Sequence, residues 1–252
     1  MTVRSHRPLL VLLAGLALGL GGCASIESRF TDQGPVYVPG NVRGPAAWPE
    51  SIRRVAVLPA HDTTGRLPPN FVSSYDNLWR RTLDRSQRAE WLAIDRAQLA
   101  TWTTRETLGG SSLLPPHLLQ RIVRETDAQA VLFLDLNHCT AYPPLSLSFR
   151  ARLVDLATGE TVWMVDEVFD ANSGPTARAA RHHARANHSG VGDPTGGILQ
   201  SPSLFAGYAF QAVAALLPPR VAPPPRPAPS PATSAKPEQP PSHAIQVDAA
   251  VK

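Results

Sequence analysis

Residues 145–170, "LSLSFRARLVDLATGETVWMVDEVFD", limit what this chain can fold into more than any other stretch. Leu145, Leu147, Phe149, Ala151 and Leu153 alternate with Ser146, Ser148, Arg150 and Arg152. Successive side chains of a strand point to opposite faces, so the alternation describes a strand with one apolar and one polar side. "ATG" (157–159) turns the chain, and Gly159 suits the left-handed position of a three-residue hairpin loop. "ETVWMVDEVFD" (160–170) returns, with Trp163 just past the turn. Pairing Leu156 with Glu160 places opposite one another all positions that sum to 316. Arg150 then faces Asp166, and opposite charges across strands contribute about 0.2–1 kcal/mol.

The return arm carries Asp166, Glu167 and Asp170, which could be an acid cluster. Strand geometry separates them. Asp166 and Asp170 share a face but lie about 13 Å apart at ~3.3 Å per residue, beyond the roughly 5–9.5 Å of a glycosidase acid pair. Asp166 and Glu167 point to opposite faces. Glu167 stands alone on the apolar face with Trp163, Val165 and Phe169, opposite Phe149. A carboxylate there either lies at the rim or is a functional acid with a raised pKa. The rim is the expectation, and Glu167 is kept as a candidate binding residue. The same two-sided hairpin would also suit a pair of membrane β-barrel strands, but Glu167 would then face lipid, so a sheet packed under helices is expected instead.

The amino terminus addresses the chain. "MTVRSHRPLL" is a basic leader, and "LLVLLAGLALGL" (9–20) is apolar but too short to span a bilayer as a helix of about 20 residues. It ends in Leu20, Gly21, Gly22 and Cys23. "LGGC" resembles the lipobox of bacterial lipoproteins. The resemblance implies that residues 1–22 are a signal peptide and that Cys23 becomes the lipidated first residue, carrying diacylglyceryl and a fatty acyl chain such as palmitate. Ala24 after the cysteine implies the periplasmic face of the outer membrane. Cys139 is then left without an intrachain disulfide partner. His138 beside it would point to the other face of a strand, so Cys139 reads as a small buried residue.

The 252 residues suit one substantial domain with extras. Fifteen of the 26 prolines lie in two segments, four in 23–50 and eleven in 218–252. Residues 23–50 read as the lipidated cysteine and a flexible tether reaching roughly 90 Å at about 3.3–3.6 Å per residue. Residues 218–252 cannot bury a core and read as a disordered proline-rich tail. The domain between them, 51–217, opens with the strand "RRVAVLPA". A helix over 70–88 follows, with Asn70 as cap and a stripe of Phe71, Tyr75, Leu78, Trp79 and Leu83. Then come a strand at 90–95, a helix capped by Asp95, a helix from 115 with proline in its first turn, and the apolar strand 128–138. After the hairpin, helices are expected over 175–188 and over 201–217, the latter capped by Ser201. The fold class is α/β: a single mixed sheet with a carboxy-proximal antiparallel hairpin and helices packed on it. The net charge of +4 comes from scattered arginines, which gives no support to nucleic-acid binding.

"RRVAVLPA", "AVLFLDL" and "ARLVDLATGETVWMVD", in this order, are similar to a domain shared by envelope proteins. These are the amino-terminal domain of TolB, the penicillin-binding-protein activator lipoproteins and the curli-secretion lipoproteins. The resemblance covers residues 52–170 and implies an α/β sandwich used for binding and assembly. "AHDTTG" departs from the aromatic–x–Asn usual after the first strand.

Other candidates are few. His61 and Asp62 in "HDTTG" follow the first strand, where α/β domains often bind ligands; with no nucleophile elbow or metal set a plain turn is expected, and the two are kept as candidate binding residues. His182, His183 and His188 lack the i, i+4 spacing of a helical metal pair. "GVGDPTGG" does not follow a strand, and no G-x-S-x-G occurs. No cofactor or metal is expected. The expected protein is a non-catalytic, lipid-anchored periplasmic adaptor with an envelope protein partner, its proline-rich arms adding reach or peptidoglycan contacts. The alternative is an oligomerising subunit of an outer-membrane secretion or surface-assembly apparatus. The oligomeric state is left open.

Overall fold

A computed structural model describes residues 34–115, 117–187 and 195–220. The leader with Leu20, Gly21, Gly22 and Cys23, and the tail from 221 onward, lie outside the described residues.

Seven strands form one mixed sheet in the order β1-β7-β6-β5-β2-β4, with β3 pairing to β5 off this path. β2 (Arg54–Val57) runs parallel to β4 (Glu90–Ala93) and to β5 (Ala130–Cys139). β3 (His61–Asp62) runs parallel to β5 farther along. β6 (Ser146–Asp155) and β7 (Thr161–Asp170) are the antiparallel hairpin, and β1 (Val42–Arg43) pairs antiparallel with the outer side of β7. The expected fold class is therefore the observed one.

The 316 register holds from Ser146 opposite Asp170 to Leu153 opposite Trp163, then slips so that Val154 faces Thr161. Leu156 and Glu160 do not pair. The Leu156 N–H donates to the Gln129 carbonyl at 2.9 Å instead, while the Asp155 N–H takes the Glu160 carbonyl at 2.9 Å. The Asp155 carboxylate accepts from the N–H groups of Ala157 and Thr158 at 2.7 and 3.1 Å. The loop is thus longer than three residues, with Gly159 at φ 73° as expected for the left-handed position.

One sheet face is covered by α1 (Pro69–Ser86), α4 (Gly174–Asn187), a short α5 (Thr195–Ile198) and α6 (Pro202–Ala214). The odd-numbered hairpin residues fill this core: Phe149 and Phe169 stack at 5.9 Å, and Phe210 of α6 stands edge-on to Phe149 at 5.1 Å. The apolar hairpin face is therefore spent against helices, as the packed-sheet reading requires. On the other face, α2 (Arg96–Thr103) and α3 (Leu118–Thr126) pack Leu99, Leu118 and Ile122 against Val131 and Phe133. β5 is thus buried on both sides, which is why "AVLFLDL" reads as an almost unbroken apolar run. Only Val154 and Leu156 of the hairpin join this second core, so the polar side of β6 and β7 stays largely uncovered.

Helix ends follow local chemistry. The Asp95 carboxylate accepts from the Gln98 N–H at 2.6 Å to cap α2, and Ser201 caps α6 ahead of Pro202. The expected Asn70 cap is absent. α1 begins at Pro69 behind Pro68 with no side-chain cap, because a proline at the first position has no N–H to satisfy. α3 begins at Leu118 rather than 115, since His117 takes a left-handed conformation at φ 64°.

Residues 34–50 are not a tether. Pro39 and Trp48 are buried, β1 joins the sheet, and the Trp48 indole donates to the Ile52 carbonyl at 2.7 Å. Their prolines hid this, because side chains elsewhere supply the bonds that hold the segment. The carboxy end is likewise fastened beyond 217: the Pro219 carbonyl accepts from the Trp48 N–H at 2.9 Å, and the Arg220 Nε donates to the Arg88 carbonyl at 2.6 Å. The folded unit thus extends past both expected boundaries.

Candidate functional site

Four ionisable residues line up across the sheet on the side away from the main core. His61 of β3 is opposite Asp135 of β5, Asp135 is opposite Arg150 of β6, and Arg150 is opposite Asp166 of β7. Arg150 reaches Asp166 with both Nε and Nη2, at 2.9 and 2.5 Å, so the pairing expected from the register is formed. Asp135 is only 3% exposed. Burial pushes its carboxyl above the usual carboxylate range; the Gly110 N–H, the neighbouring His61 and the Arg150 and Arg152 guanidinium groups act against that rise.

The loop joining α2 to α3 closes over this row. The Gly110 N–H donates to both Asp135 oxygens, at 2.9 and 3.1 Å, and the Thr107 hydroxyl meets His61 Nδ1 at 3.0 Å. Gly109 is needed there: a Cβ at that position would lie 2.7 Å from the His61 ring. Ser111 lies 3.5 Å from Arg150. Beside the row, the Arg152 guanidinium lies over the Phe133 ring at 5.6 Å, and its Nε is buried without a hydrogen-bond partner. Arg152, Arg43, Gly44, Thr161, Val162 and Met164 line a cavity of about 340 Å³ between β6, β7 and β1. A second cavity of about 550 Å³, lined by Trp102, His117, Leu118, Gln120, Arg121 and Arg124, lies between α2 and α3.

Of the two candidate binding residues in "HDTTG", only His61 joins the row. Asp62 builds its own turn: its carboxylate accepts from the Thr64 N–H and hydroxyl at 2.9 and 2.7 Å and from the Leu67 N–H at 2.8 Å. Burial acts to raise its pKa, but the Leu67 and Thr64 donors outweigh it and hold the carboxyl below its ordinary value. A lowered folded pKa contributes stability above the unfolded carboxylate range, and that stability is lost as pH falls through the folded value. Asp62→Asn is therefore expected to cost about 1 kcal/mol at neutral pH, with the gap to wild type narrowing at acidic pH. Urea unfolding across a pH series measures it; a gap that does not change with pH rejects the account.

Glu167 is not at the rim. It is 6% exposed and receives the amino-terminal segment. Its Oε1 accepts from the Gly40 and Asn41 N–H groups at 2.5 and 2.6 Å, and its Oε2 accepts from the Tyr37 hydroxyl. Burial first, and then Glu167, push the Tyr37 phenol up. Trp163 lies buried beneath Gly44, where a Cβ would come within 2.7 Å of the indole. Both residues hold the fold and leave no open ligand position.

Cys139 is half-buried with its sulfur 3.4 Å from the Tyr75 hydroxyl, and burial pushes its thiol up. His183 rests against Tyr208 at 5.6 Å, His182 is exposed, and His188 lies outside the described residues. Among the described residues, no group of three or more His, Cys, Asp or Glu is placed to hold a metal. Sequence reasoning missed Asp135, Gly109 and Gly110. A lone carboxylate inside the apolar run "AVLFLDL" was the signal that could have found the first.

No protein-family description matches this chain, and no curated protein matches it. Solved structures do. A PelC dodecamer from Paraburkholderia phytofirmans is 19% identical, covering 54% of this chain and 86% of that one at a TM-score of 0.36. The LpoB C-terminal domain from Escherichia coli is 17% identical, covering 50% and 85% at a TM-score of 0.33. The lipoprotein GNA1162 from Neisseria meningitidis is 14% identical, covering 48% and 83% at 0.31. The last of these is named as a lipoprotein.

Proposed function

We propose that this chain is a non-catalytic binding module, anchored by Cys23 to the periplasmic face of the outer membrane, that holds an envelope protein partner on the uncovered half of its sheet. The observation that supports it most is the lipobox "LGGC" placed a few residues before a domain whose described part begins at Gly34. Support for the face comes from its chemistry. Arg43 and Arg152 flank one cavity, and neither is ion-paired among the described residues. Two guanidinium groups beside Met164 suit an acidic side chain presented with an apolar neighbour.

Cys23→Ser is expected to release the protein from membranes, and mass spectrometry of the wild type should show an acylated Cys23. A wild-type chain that is membrane-bound yet unlipidated rejects the anchor. A photo-crosslinker at Met164 in cells should capture one envelope protein and lose it on combined Arg43→Glu and Arg152→Glu. A crosslink indifferent to that reversal moves the partner elsewhere. Sizing in mild detergent should give a monomer; a large ring would favour the assembly-subunit reading instead.

A further inference from the structure

α4 carries Arg178, Arg181, His182 and Arg185 at i, i+3, i+4 and i+7. At about 100° per residue these four fall within an arc of roughly 100°. Thr176, Ala177 and Ala180, which face the core, lie outside that arc. His182 and Arg185 are exposed, Arg178 and Arg181 half-buried. The helix contains no Asp or Glu. The helix therefore presents basic side chains, and no acidic side chain of its own, along one edge.

The chain approaches this helix from the direction of the lipid anchor. The Pro35 carbonyl accepts from Arg178 Nε and Nη2 at 3.1 and 2.9 Å, and the Tyr37 N–H donates to the Pro175 carbonyl at 3.0 Å. Pro35 is only twelve residue steps from Cys23. Fully extended they reach about 40 Å at ~3.3–3.6 Å per residue, under half the reach expected of a tether running to residue 50. The anchored domain therefore stays beside the membrane, attached at the amino-terminal end of α4.

We infer that α4 is a membrane-facing element whose Arg178, Arg181, His182 and Arg185 stripe lies against anionic phospholipid headgroups. This rests on the anchoring of Cys23 proposed above. A guanidinium matches the geometry of a phosphate in two parallel hydrogen bonds, and the weak binding given by one acyl anchor is strengthened by a basic patch. The stripe thus supplies a second attachment. It also fixes which side of the domain faces the bilayer.

The test uses the full-length lipidated protein in vesicles of phosphatidylcholine, alone or with about one-third phosphatidylglycerol. A fluorophore is placed by Ala186→Cys in a Cys139→Ser background, and a quencher is carried on the lipid headgroups. Quenching is expected only with phosphatidylglycerol and should be reversed by about 0.5 M salt. Combined Arg181→Ser and Arg185→Ser should lower the docked-to-undocked ratio about 25-fold, about five-fold for each arginine. Equal quenching in both vesicles, none in either, or quenching that survives the double substitution overturns the inference; the last two would leave the stripe to an acidic protein segment. Flotation separates the two proposals. Protein that fails to float with phosphatidylcholine but binds phosphatidylglycerol through α4 keeps the stripe and loses the anchor.

Discussion

Phe210→Ala is expected to lower the free energy of unfolding by about 4 kcal/mol. Phe210 is fully buried at the junction of α6, α1 and the hairpin. Its ring stands 5.6 Å from Tyr75, 5.2 Å from Trp79 and 5.1 Å from Phe149. Removing it takes a ring out of a site walled by other large rings, which cannot close over the gap without leaving their rotamers. Small domains hold only about 5–15 kcal/mol in total, so the variant should be marginal at physiological temperature. Urea unfolding measures the change. Phe210→Leu keeps much of the volume and should lose less than about 2 kcal/mol. A loss below about 1 kcal/mol for the alanine variant would mean that α6 does not seal the hairpin as described.

Glu167→Ala is expected to cost about 3 kcal/mol, and to act first on a segment more than a hundred residues away in sequence. Hydrogen bonds to a charged acceptor contribute about 1.5–3 kcal/mol each, and donors left buried and unpaired add to the loss. Three donors depend on this carboxylate: the Tyr37 hydroxyl and the N–H groups of Gly40 and Asn41. With the carboxylate gone, residues 37–41 lose that hold and β1 loses its approach to β7. Trypsin should then cut after Arg43 well before the domain unfolds. Glu167→Gln keeps one oxygen for the two backbone donors and should cost about half as much. Cleavage at Arg43 no faster than in wild type would show that Arg178 and the β1 pairing hold the segment without Glu167.

These two residues mark how far the sequence could be read. The alternation of 145–153 against 163–170, together with the short turn, set the register to Arg150 opposite Asp166: a one-residue slip would put one arm's apolar side chains on the solvent face, and the turn excludes longer slips. The stripe of α1, the Asp95 and Ser201 caps and the left-handed Gly159 were legible for the same kind of reason: each is a preference exerted within a few residues. The oddness of Glu167 was legible too, as a carboxylate on an apolar face. Its partners were not, since nothing local in the proline-rich 34–50 signals a strand or a buried tryptophan.

The row His61, Asp135, Arg150 and Asp166 shows the same divide. Sequence periodicity placed Arg150 beside Asp166, two positions joined by one short loop. Placing Asp135 beside both Arg150 and His61 requires β5 to sit between β6 and β3, which only the assembled sheet decides. By itself, the sequence determined the main strands and helices of the domain and the hairpin register, because these follow from side-chain spacing and local backbone chemistry. The tertiary structure alone decided that residues 34–50 complete the sheet, that Gly109 and Gly110 close over Asp135, and that the chain leading back to Cys23 leaves beside the cationic face of α4. Each of these is a contact between groups far apart in the chain, formed only once burial has removed water from the polar partners.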